Sequence, residues 1–126
     1  MEIVDLEKVR YEFHDNGLTY ITLKKDQHLE IEDSLQEYEM LMNRPEKLPL
    51  VAVVTTEDFA TVSGESRRFW LNGKGTSLLK AEAIVSQNLG PKIMFLLVKK
   101  TMNFKVQLKM FSKKSEAEQW ALQQLD

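Results

Sequence analysis

Hydrophobic and polar residues alternate near the start of the chain with the two-residue period of a half-buried β-strand. Residues 9–14 show this alternation, and residues 18–23 form a second run that is rich in β-branched and aromatic side chains. Asp15-Asn16-Gly17 stands between the two runs, and an Asn-Gly pair tolerates the positive φ angles of a type I′ turn. The pattern predicts an N-terminal antiparallel β-hairpin.

A helical period follows over residues 32–43, and Pro45 ends it. The apolar positions that define this helix are Ile31, Leu35, Tyr38, Leu41 and Met42. Residues 50–54 are apolar at every position, which is typical of a central strand covered on both faces. A second helix is predicted to begin after Ser63, a favourable N-cap residue, and residues 81–85 are predicted to form a strand parallel to residues 50–54.

The last third of the chain predicts one more strand and one or two helices. Residues 93–98 are all apolar and suit either a buried strand or a helix that Pro91 opens. Residues 104–110 alternate between apolar and polar side chains, and Ser115 is predicted to cap a terminal helix. Strands and helices therefore alternate, which predicts an α/β fold in a single domain, residues 1–126.

Composition narrows the classes of protein that remain. A chain of 126 residues buries about two thirds of its unfolded surface and needs no metal or disulfide to fold. The absence of cysteine excludes disulfides, thiolate metal sites and a cysteine nucleophile. The first residues lack the basic and apolar regions of a signal peptide, and residues 93–98 are too few to span a bilayer. We therefore expect a cytoplasmic protein.

Charge is distributed unevenly along the chain. Residues 1–65 carry 6 Lys/Arg against 15 Asp/Glu, whereas residues 66–126 carry 11 against 4. The preferred interpretation is that the two halves attract each other within one fold, and the alternative is a basic face for an anionic partner. Arg67-Arg68-Phe69-Trp70 mixes bases with aromatics, but the chain is acidic overall, so we expect a packed helix and no nucleic-acid partner.

The motifs of catalytic and metal sites are not found in the sequence. His14 and His28 have no second ligand at metal-binding spacing, and no Gly-x-Ser-x-Gly elbow occurs. Gly73-Lys74-Gly75-Thr76 lacks the spacing of a phosphate-binding loop. We therefore expect no catalytic, cofactor-binding or metal-binding residues, no cofactor, and a protein that is not an enzyme.

The C-terminal half resembles the SpoIIAA-like fold of STAS domains and their uncharacterised bacterial relatives. The resemblance depends on residues 80–85, on Ser63-Gly64-Glu65-Ser66-Arg67, and on Ala117 and Trp120 in the terminal helix. It implies a mixed sheet of about five strands with the N-terminal hairpin, helices mostly on one face, and a helix over residues 89–101. In anti-sigma-factor antagonists of this fold an Asp-Ser pair carries a phosphorylated serine. That pair is missing here, and Ser63 and Thr61 are the nearest hydroxyls.

Three functional hypotheses follow from these patterns. The first is a binding or regulatory module that acts through protein–protein contacts, as a homodimer or with another protein, through an apolar patch on the helix of residues 91–101. The residues of this patch are Met94, Phe95 and Val98, beside Lys99. The second is a lipid or small apolar ligand at the same helix, with a membrane surface less favoured because the flanking lysines are few. The third is a phospho-regulated switch at Ser63 or Thr61.

Overall fold

A six-stranded sheet forms the centre of the structure, a computed structural model that describes residues 1–86 and 106–126. Within those ranges the chain forms eight strands and three α-helices. The strands are β1 (Glu2–Asp5), β2 (Val9–Phe13), β3 (Thr19–Leu23), β4 (His28–Leu29), β5 (Leu50–Thr56), β6 (Thr61–Val62), β7 (Leu79–Val85) and β8 (Gln107–Phe111). The helices are α1 (Ile31–Met42), α2 (Gly64–Leu71) and α3 (Lys114–Gln123).

The sheet is mixed, with the strand order β1-β2-β3-β5-β7-β8. The pairs β1–β2 and β2–β3 are antiparallel, whereas β3–β5, β5–β7 and β7–β8 are parallel. The predicted hairpin and the predicted parallel pairing of the two central strands are thus confirmed. The expected number of about five strands is exceeded by one, because β1 extends the edge of the sheet.

The two faces of the sheet are covered by different helices. Large side chains from β2, β3 and β5 pack against α1 and α2, and we call this side the α1/α2 face. On the opposite side, the α3 face, Ala117 and Ala121 of α3 pack with Ala81 and Ala83 of β7, and all four are 0% exposed. Four methyl groups allow the helix axis to come close to the sheet. Trp120 closes this contact, with its ring centre 5.8 Å from that of Phe111.

Of the two predicted N-cap residues, Ser63 is confirmed and Ser115 is not. Ser63 caps α2 as predicted, because its Oγ accepts a hydrogen bond from the Ser66 N–H at 3.1 Å. The prediction that Ser115 caps the last helix is wrong, since α3 begins at Lys114 and has Lys113 as an N-cap without a side-chain hydrogen bond. The first turn closes two residues earlier than the capping preference of serine indicates, through the hydrogen bond from Ala117 N–H to the Lys113 carbonyl at 3.2 Å.

The predicted helix of residues 89–101 lies outside the described residues. The apolar patch of Met94, Phe95, Val98 and Lys99 lies there too, so its roles in self-association and in apolar ligand binding stay predictions. Within residues 1–86 and 106–126, no helix combines the length and the apolar character that crossing a membrane requires.

Candidate functional site

Two loops meet where the parallel strands β3 and β5 end. The carboxyl ends of adjacent parallel strands lie at one edge of a sheet, where ligands of α/β proteins commonly bind. Residues 24–29 and 57–63 form this region, which we call the loop edge. They are joined by the short parallel pair β4–β6 and by backbone hydrogen bonds of 2.9 Å from Asp26 to Asp58, from Thr61 to Gln27 and from Ser63 to Leu29.

Phe59 stands at the tip of the loop edge in an unusual conformation. Its side chain is 81% exposed, the largest exposure among the large hydrophobic residues that the structure describes. Its φ angle is +63°, in the left-handed region that costs an ordinary L-residue about 1–2 kcal/mol. Phenylalanine usually adopts a negative φ angle and is usually buried. Phe59 does neither, which makes it a candidate functional residue.

The acidic residues of the loop edge are held by the same network. Asp26, Glu57 and Asp58 are exposed, and so is Lys25 in the first loop. The Glu57 carboxylate accepts a hydrogen bond from the Lys25 N–H at 3.0 Å, which ties the second loop to the first. Leu29 is only 4% exposed and anchors the base of this region in the core. The loop edge therefore presents Phe59 on a braced and acidic surface.

The two predicted phospho-switch residues both lie in the loop edge. Thr61 is exposed, and its Oγ1 lies 2.6 Å from His28 Nδ1. Ser63 is half-buried at the start of α2. The β-carbon position of Gly64 lies 3.5 Å from Arg68 Nη1 and 3.8 Å from Arg67 Nη2, so both guanidinium groups turn back towards the N-terminus of α2.

A buried carboxyl group lies under α1, on the α1/α2 face. Glu37 is 4% exposed, and its Oε1 accepts a hydrogen bond of 2.6 Å from the Tyr11 hydroxyl. Among the residues that the structure describes, its Oε2 has no hydrogen-bond partner, and neither has the buried Oγ of Ser34 one turn earlier. Burial raises the pKa of Glu37 to about 7, although the Tyr11 hydrogen bond acts in the opposite direction. The side chain therefore holds its proton more readily than an ordinary glutamate.

A second carboxyl group, that of Glu82, lies close to Glu37 and Tyr11. Glu82 is on β7 and points to the α1/α2 face, since its neighbours Ala81 and Ala83 point to the α3 face. Burial raises the pKa of Glu82 to about 7, and its charge contributes to the raised pKa values of Glu37 and Tyr11. Two such acids are too few for a metal site, and within the described ranges no group of three or more metal-ligating side chains occurs.

Sequence reasoning singled out Ser63 and Thr61, whose role as a switch stays a prediction, and gave no indication of Phe59, Glu37 or Glu82 as candidates. The sequence around Phe59 is polar and indicates a turn, which gives no sign of an exposed aromatic side chain in a left-handed conformation. Glu82 alternates with two alanines inside a strand, and this spacing is the one signal that could have identified it as a carboxylate on a covered face.

The comparisons with known proteins support the fold and leave the function open. The sequence model of DUF7793, a domain of unknown function, matches residues 11–125. No curated protein sequence matches the chain. An uncharacterised DUF3478-family protein from Shewanella loihica PV-4, which has a SpoIIAA-like fold, is similar in structure with a TM-score of 0.62. The two share 16% sequence identity, and the similarity covers 94% of this chain and 97% of that one. The SpoIIAA-like fold implied by the sequence resemblance is confirmed.

Replacing Phe59 should separate backbone strain from packing. We expect Phe59→Asn to raise the free energy of unfolding by about 0.5–1 kcal/mol, because asparagine tolerates positive φ and the exposed ring contributes little packing. Phe59→Val should lower it, since a β-branched residue fits this conformation worse than phenylalanine. Urea denaturation measures both values, and a loss of stability in both variants would show that the ring packs against the protein.

Stability should depend on pH through Glu37. The native carboxyl keeps its proton to about pH 7, whereas the unfolded one loses it near its ordinary pKa of 4.5, so stability falls as the pH rises between these values. For one carboxyl the loss is on the order of 3 kcal/mol. The difference between the urea midpoints at pH 5 and pH 7.5 should therefore shrink in Glu37→Gln, and it should close only when Glu82→Gln is added, because burial raises the pKa of Glu82 to about 7 as well. The exposed Glu39→Gln is the matched control, and an unchanged pH dependence in Glu37→Gln would contradict the assignment.

Proposed function

The chain belongs to the DUF7793 family, and because neither that family nor the similar structure supplies a function, we propose from the geometry of the chain that it is a non-enzymatic binding module. In this proposal the protein acts in the bacterial cytoplasm and docks another protein through the loop edge. Phe59 is the anchor of the interaction.

The exposure and strain of Phe59 carry this proposal. A large aromatic side chain gains free energy when a partner buries it, and aromatic anchors are enriched among the residues that dominate protein interfaces. The left-handed backbone directs the ring away from the core at a cost to the free protein. Hydrogen bonds between the two loops hold that conformation before any partner arrives, so docking orders little additional backbone.

The charges around Phe59 specify the chemistry of the partner. Asp26, Glu57 and Asp58 are exposed on the two loops that carry the anchor, where Lys25 is the exposed lysine, and Arg67 and Arg68 follow on α2. An apolar pocket with a basic rim complements this surface and excludes acidic competitors. The partner is therefore a different protein with such a pocket. A second copy would have to offer its basic C-terminal half, and such unlike surfaces join copies head to tail instead of closing a dimer.

A photo-crosslinking phenylalanine analogue at position 59 tests this interaction in the cells that make the protein. We expect one discrete adduct with a second protein, and a yield about tenfold lower when Glu57→Lys and Asp58→Lys reverse the rim charge. The same analogue at Met42, which is 51% exposed on α1, is the matched control and should give no such adduct. An adduct of two identical chains, no adduct at position 59, or equal adducts at both positions would overturn the proposal.

A phospho-regulated switch at Ser63 is a second candidate, favoured by the position of Arg67 and Arg68. A phosphate on Ser63 would meet the positive end of α2 and both guanidinium groups that lie beside Gly64. No ion pair involves either arginine within residues 1–86 and 106–126. Such a modification would change the charge of the loop edge next to Phe59.

Phosphosite mapping by mass spectrometry on protein purified from its own cells tests the switch. We expect phosphate on Ser63 or Thr61 and a modified form that is about 1 kcal/mol more stable, through contacts that Arg67→Gln and Arg68→Gln together remove. The exposed Ser77, on a separate short helix, should remain unmodified. Phosphate on Ser77 alone, or none anywhere between Thr61 and Ser66, would contradict this candidate.

A further inference from the structure

A polar cleft lies on the α3 face, beside the first turns of α3. Its volume is about 210 Å³. The floor is formed by Glu12, His14, Tyr20, Thr22 and Thr55 of strands β2, β3 and β5 and of the turn after β2. Lys114 and Glu118 of α3 form the wall. The cleft is on the opposite face of the sheet from the buried carboxyl groups and shares no lining residue with the loop edge.

The cleft exists because α3 covers only part of its face. The alanines of α3 pack on β7, and the helix also contacts β5 and β8. Lys114 and Glu118 of α3 reach β3 at Tyr20, and the outward positions of β2 and β3 hold the polar residues Arg10, Glu12 and Thr22. Thr22 and Thr55 are register partners on adjacent parallel strands, so their hydroxyl groups lie side by side on the floor.

Some charged groups in the cleft are already paired. Glu12 Oε1 lies 3.2 Å from His14 Nε2, and Glu12 Oε2 lies 3.6 Å from Arg10 Nε. His14 is fixed further by the Tyr20 ring, whose centre lies 4.3 Å from its own. These contacts form a rigid side of the cleft in which one carboxylate is largely satisfied.

Lys114 and Glu118 are charged but do not pair with each other. They are one turn apart on α3, a spacing at which opposite charges can form an ion pair. Yet the Lys114 ammonium lies 5.1 Å from the Tyr20 ring centre, and in the described part of the chain no carboxylate lies within 4 Å of it. Glu118 faces the same tyrosine, since its charge and its hydrogen bond with the Tyr20 hydroxyl raise the pKa of that hydroxyl after the larger effect of burial. A cation and an anion thus stand side by side in one cleft.

We propose that this cleft binds a small zwitterion of amino-acid size, with its carboxylate on Lys114 and the threonine hydroxyls and its ammonium group on Glu118. A simple anion would be repelled by Glu118 and Glu12, and a simple cation by Lys114. In the described ranges neither Thr22 nor Thr55 makes a side-chain hydrogen bond, so both hydroxyls can donate to a ligand. At about 30 Å³ for each water molecule the cleft has room for several, and it therefore admits a compact amino acid.

Titration of the ¹⁵N-labelled protein by NMR tests the proposal with L-serine as the probe. We expect saturable shifts of the amides of Thr22, Thr55 and residues 114–118 with a Kd of about 1 mM, the affinity that a ligand of about seven non-hydrogen atoms can reach. Acetate and ethylammonium, which each carry one of the two charges, should bind at least about tenfold more weakly. Lys114→Gln and Glu118→Gln should each weaken L-serine binding about tenfold.

Lys113→Gln is the matched control, because Lys113 is exposed next to Lys114 but does not line the cleft. It should leave the affinity for L-serine unchanged. Equal affinities for acetate and L-serine would show that the cleft binds simple anions and would overturn the proposal. The absence of saturable shifts, or an equal loss of affinity in Lys113→Gln and Lys114→Gln, would overturn it as well.

Discussion

The central strand β5 is apolar on both of its faces, and five consecutive residues from Leu50 to Val54 are between 0% and 7% exposed. Burying both faces requires a layer of helix on each side of the sheet. The chain meets this requirement with α1 and α2 on one face and α3 on the other. Because β3, β5 and β7 are parallel neighbours, each connection returns across a face, and the loops after β3 and β5 are brought to the same edge. The candidate interaction site therefore follows directly from the burial of one strand.

The two faces of the sheet are buried by side chains of different size. On the α1/α2 face, long side chains fill the space, and Glu37 and Ser34 of α1 each place there one oxygen that has no hydrogen-bond partner in residues 1–86 and 106–126. On the α3 face, alanines of β7 and α3 bring helix and sheet close together. Because the alanines of α3 pack on β7, the helix meets β3 through Lys114 and Glu118 at Tyr20, and polar side chains occupy the outward positions of β2 and β3. The small residues that hold α3 in place thereby also create the cleft.

Local sequence patterns predict the parts of the fold in which each face of an element meets one kind of surroundings, either core or solvent. The hairpin follows from strict alternation and an Asn-Gly turn, and the central strand follows from its unbroken apolar run. The cap of α2 follows from the chemistry of Ser63. The strand β1 was missed because an edge strand of four residues, three of them exposed, needs no apolar alternation. The extra strand pairs with β2 through its backbone, which a side-chain pattern does not record.

The candidate sites were less predictable because they depend on contacts between distant segments. In α1 the apolar spacing indicated a buried stripe that includes Leu35 and Met42, yet these are 48% and 51% exposed, and Ser34 and Glu37 are buried instead. The face that α1 buries is set by its packing on the sheet and by the Tyr11 hydroxyl, which comes from 26 residues away. A spacing rule finds the period of a helix but not the direction in which its neighbours lie.

The conformation of Phe59 also depends on contacts with a distant segment of the chain. Its conformation requires the first loop to accept and donate backbone hydrogen bonds at Asp26 and Gln27, more than thirty positions earlier in the chain. Local preference opposes a phenylalanine at positive φ, so the conformation persists only because the surrounding hydrogen bonds over-determine it. Where local preference and tertiary structure disagree, a functional requirement is the usual reason for the disagreement. Hydrogen bonds between the two loops hold Phe59 in place, and a rigid anchor loses little conformational entropy when a partner buries it.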